Sequence, residues 1–223
     1  LAQLAQPWSP GHSLKQRTHN LATRRSPIST WAAAHCVFRP DEVAAMTGLL
    51  APNTEAALQA HIAPHTSAQN AVDLACELDV YGYMGCQLLR DSDVTSMASS
   101  LELRVPLVDV KIAQFARGCP PHYKLDDINR SRGKRIFVDA VRDLLPPDIY
   151  QRPKRGFSLP YESWLNGPLK ELVNDLWQSS RLIKHGLCEQ LPGSAEAVPP
   201  WPQRWTLMVL ELWLRNIVDK PWN

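Results

Sequence analysis

Residues 68–90 carry the pattern that most restricts how this chain can fold. Ala71, Leu74, Ala75, Leu78, Tyr81, Gly82, Gly85, Leu88 and Leu89 recur at i, i+3, i+4 spacing, which predicts one long helix with a continuous apolar face. That face must be covered. Gly82 and Gly85 lie on it, so either a neighbouring backbone approaches closely or each glycine weakens the helix by about 1 kcal/mol. The helix delivers the residues at its end to a fixed place, as a rigid element carrying functional groups should.

Those residues open the stretch 88–109, LLRDSDVTSMASSLELRVPLVD, in which Arg90, Asp91, Asp93, Glu102, Arg104 and Asp109, with Lys111 just beyond, crowd together. Leu101, Leu103, Val105 and Leu107 alternate with Glu102, Arg104 and Pro106, the period of an extended segment with one buried face. Glu102 and Arg104 then point the same way, and Pro106 limits the segment to an edge strand or an ordered extended loop. On a purely structural account, Asp93 caps a short helix through the amides of Thr95 and Ser96, and Glu102 and Arg104 form an ion pair locking a loop. On a functional account the same charges shape a site.

The remainder reads as further helices. Residues 29–36 predict a packed helix, and Pro40-Asp41-Glu42 opens another that runs to Gly48, with Pro at its first turn and acids at its positive end. Residues 1–27 read as a loop with a short helix within 13–23, and residues 49–67 as connection. Residues 110–117 predict a helix with Ile112, Ala113 and Phe115 inward, and residues 122–133 a polar loop. Residues 134–145 carry a stripe of Phe137, Ala140, Val141, Leu144 and Leu145, with Lys134 and Arg135 the wrong sign for a helix start unless an anion lies nearby. A rigid loop follows, Gln151-Arg152-Pro153-Lys154-Arg155-Gly156-Phe157-Ser158-Leu159-Pro160. Residues 168–178 are amphipathic and residues 186–202 loop-like. A last helix over 203–218 is apolar on most sides, with Trp205 and Trp213 in the core and Glu211 and Arg215 paired on what remains. No alternation of strands with helices is visible, so the architecture is mainly α.

The chain has 223 residues, 44% of them hydrophobic, enough for a sizeable core, and its net charge of +2 is too small to argue for nucleic acid or an anionic membrane, so neither is expected as partner. The cluster Arg130, Arg132, Lys134 and Arg135 is read first as a solvated loop and second as a phosphate contact. No apolar run approaches the roughly 20 residues that span a bilayer, and no charged n-region followed by an apolar core is visible at the start of the sequence, so a cytoplasmic protein is expected. Five widely spaced cysteines speak against a disulfide framework, and Cys119-Pro-Pro-His122 lacks the second pair a zinc site needs. A start at Leu1 rather than Met suggests a processed or truncated product.

Two motifs in order resemble the glutamine-dependent asparagine synthetase family. The family pattern is matched at Leu88, Leu89, Arg90, Asp91, Asp93, Ser96, Met97, Ala98, Ser100, Leu101, Glu102, Arg104, Val105, Pro106 and Asp109. It is matched again at Leu145, Pro146, Ile149, Arg152, Lys154, Gly156, Phe157 and Pro160. The resemblance covers 68–217 well and the first sixty or so residues loosely, so 1–67 is expected to be linker and short helices, and 218–223 a tail. It implies the helical C-terminal portion of an ATP-pyrophosphatase (adenine nucleotide α-hydrolase-like) α/β synthetase domain. The sheet-bearing half is absent, since the chain has no SGGxDS phosphate loop, no GEGxDE-type segment and no N-terminal cysteine nucleophile.

By the same resemblance the complete enzyme activates aspartate with ATP and Mg2+ and lets glutamine-derived ammonia displace AMP. The partners are the missing glutaminase domain and phosphate-loop half, and the fragment alone is not expected to be active. Lys154 would be catalytic, facing the triphosphate and adenylate, with Arg152 and Lys134 supporting it at the ATP and pyrophosphate. Arg90, Asp91 and Asp93 would shape the site, the two aspartates ordering Arg90 or assisting magnesium from a distance. Glu102 and Arg104 would be a buried positioning pair, and no residue of this chain is assigned as a metal ligand. Ser99 stands where the family has histidine, and Gly85-Cys86 where it often has threonine-asparagine. A fragment of a related amide- or β-lactam-forming synthetase, and a non-catalytic helical interaction module or inactive remnant, stay open beside this reading. The long helices would leave an apolar face for the absent sheet.

Overall fold

The computed structural model describes residues 26–51, 53–125, 134–151, 159–193 and 198–220. These are helical, with no β-strand among them. The chain divides into two compact units: among the described residues the first holds 26–34 and 55–151, the second 35–54 and 159–220.

In the first unit, α1 (Pro27–His35) begins with Pro at its first position and a reciprocal pair of serines. Ser26 Oγ accepts from the Ser29 amide at 3.1 Å while the Ser26 amide donates to Ser29 Oγ at 3.2 Å. The alanine-rich α3 (Thr54–Ile62) occupies part of what reads from sequence as connection; TEAALQAHI has strong helix formers and Glu55 in its first turn. Between them in sequence, α2 (Pro40–Thr47) belongs to the second unit and ends as expected, with Gly48 left-handed at φ 69° and its amide donating to Ala44 O at 3.0 Å. That left-handed backbone favours glycine, and the Glu189 carboxylate packs close to the position a Cβ would take.

The long helix is real and longer than its pattern. Asn70 caps α4 (Ala71–Leu78), its Oδ1 accepting from the Val72 and Asp73 amides at 3.0 Å. The rod widens into a π-helical stretch, Asp79–Leu88, and continues as α5 (Leu89–Met97). A Cβ on Gly82 would stand 2.9 Å from the Trp31 indole, and one on Gly85 2.9 Å from the Val80 carbonyl. The close approach is therefore that of a side chain at Gly82, and of the widened helix's own backbone at Gly85.

No proline or glycine interrupts 88–97, and this overturns the capping role expected of Asp93. Thr95 Oγ1 donates to Asp91 O at 2.6 Å and Ser96 Oγ to Asp93 O at 3.2 Å, so both hydroxyls bond back along a continuing helix. The rod stops at Ser100, left-handed at φ 55°, where the Leu101 amide donates to Ser96 O at 3.0 Å. Residues 101–105 are neither helix nor strand and lead into a 3-10 turn, Pro106–Val108. Asp109 then caps α6 (Val110–Gly118), accepting from the Lys111 amide at 2.8 Å. The short α7 (Pro121–Lys124), α8 (Arg135–Val141) with its 3-10 extension Arg142–Leu144, and α9 (Pro147–Gln151) complete the described part of this unit.

The buried face predicted for 101–107 is absent: Leu101, Leu103, Val105 and Leu107 are all exposed, as are Ile112, Phe115, Phe137 and Leu144. Polar contacts onto the rod's acids hold the unit instead. Lys124 Nζ meets Asp73 at 2.7 Å, Arg117 meets Glu77 at 3.2 Å, and Trp31 Nε1 donates to Asp79 at 2.6 Å.

The second unit is organised by burial. Its helices are α2, α10 (Tyr161–Asn166), α11 (Lys170–Gln178), α12 (Arg181–Lys184) and α13 (Trp201–Trp213), the last widening into a π turn at Leu214–Val218. One cluster joins Met46, Leu182, Cys188, Leu191, Leu207 and Leu214; another joins Leu165, Val173, Leu176 and Met208. Trp205 sits against Tyr161 edge-on at 4.5 Å, in the core as expected, whereas Trp213 is half-exposed. Glu211 does not pair with Arg215. It is fully buried and caps α12, accepting from the Arg181 amide at 2.8 Å, the Leu182 amide at 3.1 Å and the Ser180 hydroxyl. Arg215 reaches Asp175 at 2.9 Å.

Candidate functional site

The predicted site residues that the structure describes fall into three parts, each placed by a different local cause. Because α5 continues through 91–97, Arg90, Asp91 and Asp93 ride on an exposed helix end, and none of them makes an ion pair among the described residues. Asp91 and Asp93, two apart on a helix, face different directions and cannot chelate one ion together. No group of three or more His, Cys, Asp or Glu able to hold a metal occurs among the described residues. Asp91 does act on its surroundings: burial first, then the Asp91 and Asp79 carboxylates, push the Tyr83 hydroxyl above its ordinary value.

The second part is the pair Glu102 and Arg104, which meet at 2.8 Å, on one side of an extended backbone as their alternation requires. The pair expected to be buried is solvent-facing, because Leu103 between its members and Leu101 and Val105 on either side find no cover among the described residues. An ion pair this exposed contributes about 0–1 kcal/mol. The third part is Lys134, exposed and left-handed at φ 64°, immediately before α8. Arg135 donates to His122 O at 3.2 Å. Arg152 and Lys154, the residues expected to face phosphate, lie outside the described residues, as do Arg130 and Arg132.

What holds the motif's ends is a polar network that sequence reading passed over. Glu77, buried on α4, accepts from Thr66 Oγ1 at 2.5 Å and the Ser67 amide at 3.2 Å, besides Arg117. Arg117, at the end of α6, also donates to His65 O at 3.0 Å and to Ser67 Oγ at 2.5 Å. The two termini of the segment carrying the motif are thereby tied together. Burial opposes ionisation of Glu77, but the Thr66 and Ser67 hydrogen bonds and the Arg117 charge outweigh it and hold the carboxyl below its ordinary value. The signal was present in Asp73 and Glu77, two acids at i, i+4 on a helix otherwise read for its apolar stripe.

The charged groups at 90–104 stand on an open surface with uncovered leucines beside them. The asparagine synthase family model matches residues 2–215, and the chain belongs to that family. It is 27% identical over 150 residues to asparagine synthetase [glutamine-hydrolyzing] 1 of Bacillus subtilis, covering 64% of this chain and 23% of that one. A putative asparagine synthetase [glutamine-hydrolyzing] of Mycobacterium tuberculosis is 28% identical over 151 residues, 64% of this chain and 22% of the relative. The asparagine synthetase [glutamine-hydrolyzing] of Rattus norvegicus is 36% identical over 69 residues, 30% of this chain and 12% of the relative. The match thus spans less than a quarter of the length of these relatives. No solved structure matches the chain. No helix among the described residues is long and apolar enough to cross a membrane.

Proposed function

We propose that this chain is the helical C-terminal portion of the synthetase domain of a glutamine-hydrolysing asparagine synthetase, the mainly α part of an ATP-pyrophosphatase (adenine nucleotide α-hydrolase-like) α/β domain. The observation that carries the reading is the family match over residues 2–215 with both charged motifs intact. In the complete enzyme a carboxylate oxygen of aspartate attacks the α-phosphorus of ATP, and the bond to pyrophosphate breaks. Ammonia from glutamine then adds to the acyl carbon, a proton is lost, and AMP leaves with the acyl–oxygen electron pair, giving asparagine.

Within that scheme Lys154 places its ammonium against charge developing on the departing pyrophosphate, with Arg152 and Lys134 adding positive potential. Arg90, Asp91, Asp93, Glu102 and Arg104 shape the wall on which the substrates lie. ATP and Mg2+ belong to the complete enzyme. The glutaminase domain and the phosphate-loop half are the partners. The uncovered Leu101, Leu103, Val105 and Leu107 support packing of this surface on that missing half.

The test is aspartate-dependent pyrophosphate release by a protein in which this chain is joined to a phosphate-loop half and a glutaminase domain. Lys154→Ala is expected to lower the rate about 100-fold or more with folding unchanged. Pyrophosphate release at the parent rate in that variant would sink the proposal.

A further inference from the structure

Three guanidinium groups in the second unit have a buried Nε without a hydrogen-bond acceptor: Arg181, Arg204 and Arg215. Two of them are neutralised by a carboxylate, Arg181 by Asp219 at 3.1 Å and Arg215 by Asp175 at 2.9 Å. Arg204 is not. It is only 9% exposed, its one hydrogen bond runs from NH1 to Asn166 Oδ1 at 2.9 Å, and it has no ion pair among the described residues. A buried cation without a counter-charge is among the least favourable groups a fold can hold, and such groups are ordinarily paired or serve a ligand.

Arg204 lines an open groove of about 530 Å3, a size typical of small-molecule sites. One wall is α11, where Lys170, Asn174 and Gln178 recur at i, i+4, i+8 and form a polar stripe. Asn166 and Trp177 also line the groove. Arg204 sits in the first turn of α13, which follows Pro200 with no side-chain cap and has no acid in its first turn, so the positive end of that helix adds to the same potential.

We propose that this groove is a binding site for a small organic acid, whose carboxylate or phosphate oxygens pair with Arg204 and Lys170 while the amides of Asn174 and Gln178 bond its other polar groups. None of the residues of the two charged motifs takes part. The incoming oxyanion supplies the counter-charge that Arg204 lacks.

Calorimetric titration of the full chain with succinate and, separately, with inorganic phosphate, each to about 10 mM, tests this. Saturable one-site binding of at least one probe is expected. Lys170→Gln should weaken it about tenfold, and Arg204→Met should abolish it. Binding of succinate alone assigns the site to carboxylic acids, of phosphate alone to phosphate esters, and of both to oxyanions of either kind. Absence of saturable binding by either probe overturns the proposal, as does parent affinity in a folded Arg204→Met chain. Should Arg204→Met fail to fold by circular dichroism, Lys170→Gln decides alone. Its side chain is exposed, so the fold is retained, and unchanged affinity in that variant overturns the proposal.

Discussion

The core leucines of the second unit and the leucines beside the charged motif of the first are placed oppositely. In the second, Leu165, Leu176 and Leu182 are at most 1% exposed; in the first, Leu101, Leu103 and Leu107 are 51–62% exposed. The second unit is held by two apolar clusters, and its buried polar groups are recruited to finish helix ends, as Glu211 does for α12. The first has few buried apolar side chains and is pinned through the acids of one long rod, Asp73 to Lys124 and Glu77 to Arg117. A unit stabilised by burial is complete in itself. One stabilised by polar clips, with its leucines facing outward, has apolar surface left to give to a neighbour.

The contrast is sharpened most by Leu176→Ala, which should cost about 3 kcal/mol in denaturant unfolding and expose α11–α13 amides to hydrogen exchange, because a fully buried leucine leaves a cavity. A loss under about 1 kcal/mol would mean the second unit has no rigid core. Next in size is Glu77→Gln, expected to destabilise the first unit by about 1–2 kcal/mol at neutral pH. Its sign with pH follows from the lowered carboxyl: the stabilisation is full above the unfolded-state value of about 4.3 and vanishes as pH falls through the lower folded value. The parent and the Gln variant should therefore converge in acid, and a constant gap from pH 7 down to 2 would show that the clip does not act through ionised Glu77. The smallest effect belongs to Glu102→Gln, under about 0.5 kcal/mol in thermal melts of the chain. A loss of 2 kcal/mol there would place the exposed pair among the elements that hold this unit.

Much of this was legible in the chain itself. The rod over 68–90, the Pro40 start and Gly48 stop of α2, the amphipathic stripe of α11 and the mainly helical class all follow from spacing and end signals, which are local and survive whatever packs around them. The alternation at 101–107 was legible as an extended segment but not as an exposed one. Period-2 spacing states which residues share a face, never whether a neighbour covers it. The extension of the rod through Asp93 was missed because aspartate and serine suit a cap and a helix surface alike, and only the continuing backbone distinguishes them. Arg152 and Lys154 were legible by motif, and their geometry lies outside the described residues.

The sequence by itself determined where helices run, where they stop and to which family the motifs point, since each rests on residues a few positions apart. Only the tertiary structure decided which charges are bound and which stand open. Glu211 reads from its spacing as a partner of Arg215 and instead caps α12 from thirty residues away, while Glu77 looks like one more surface acid and instead ties α4 to α6. Arg204, unremarkable in the first turn of a helix, became the buried cation without a carboxylate. The physical reason is common to all three. A charge is stabilised by what surrounds it in space, and its neighbours in sequence carry no information about desolvation.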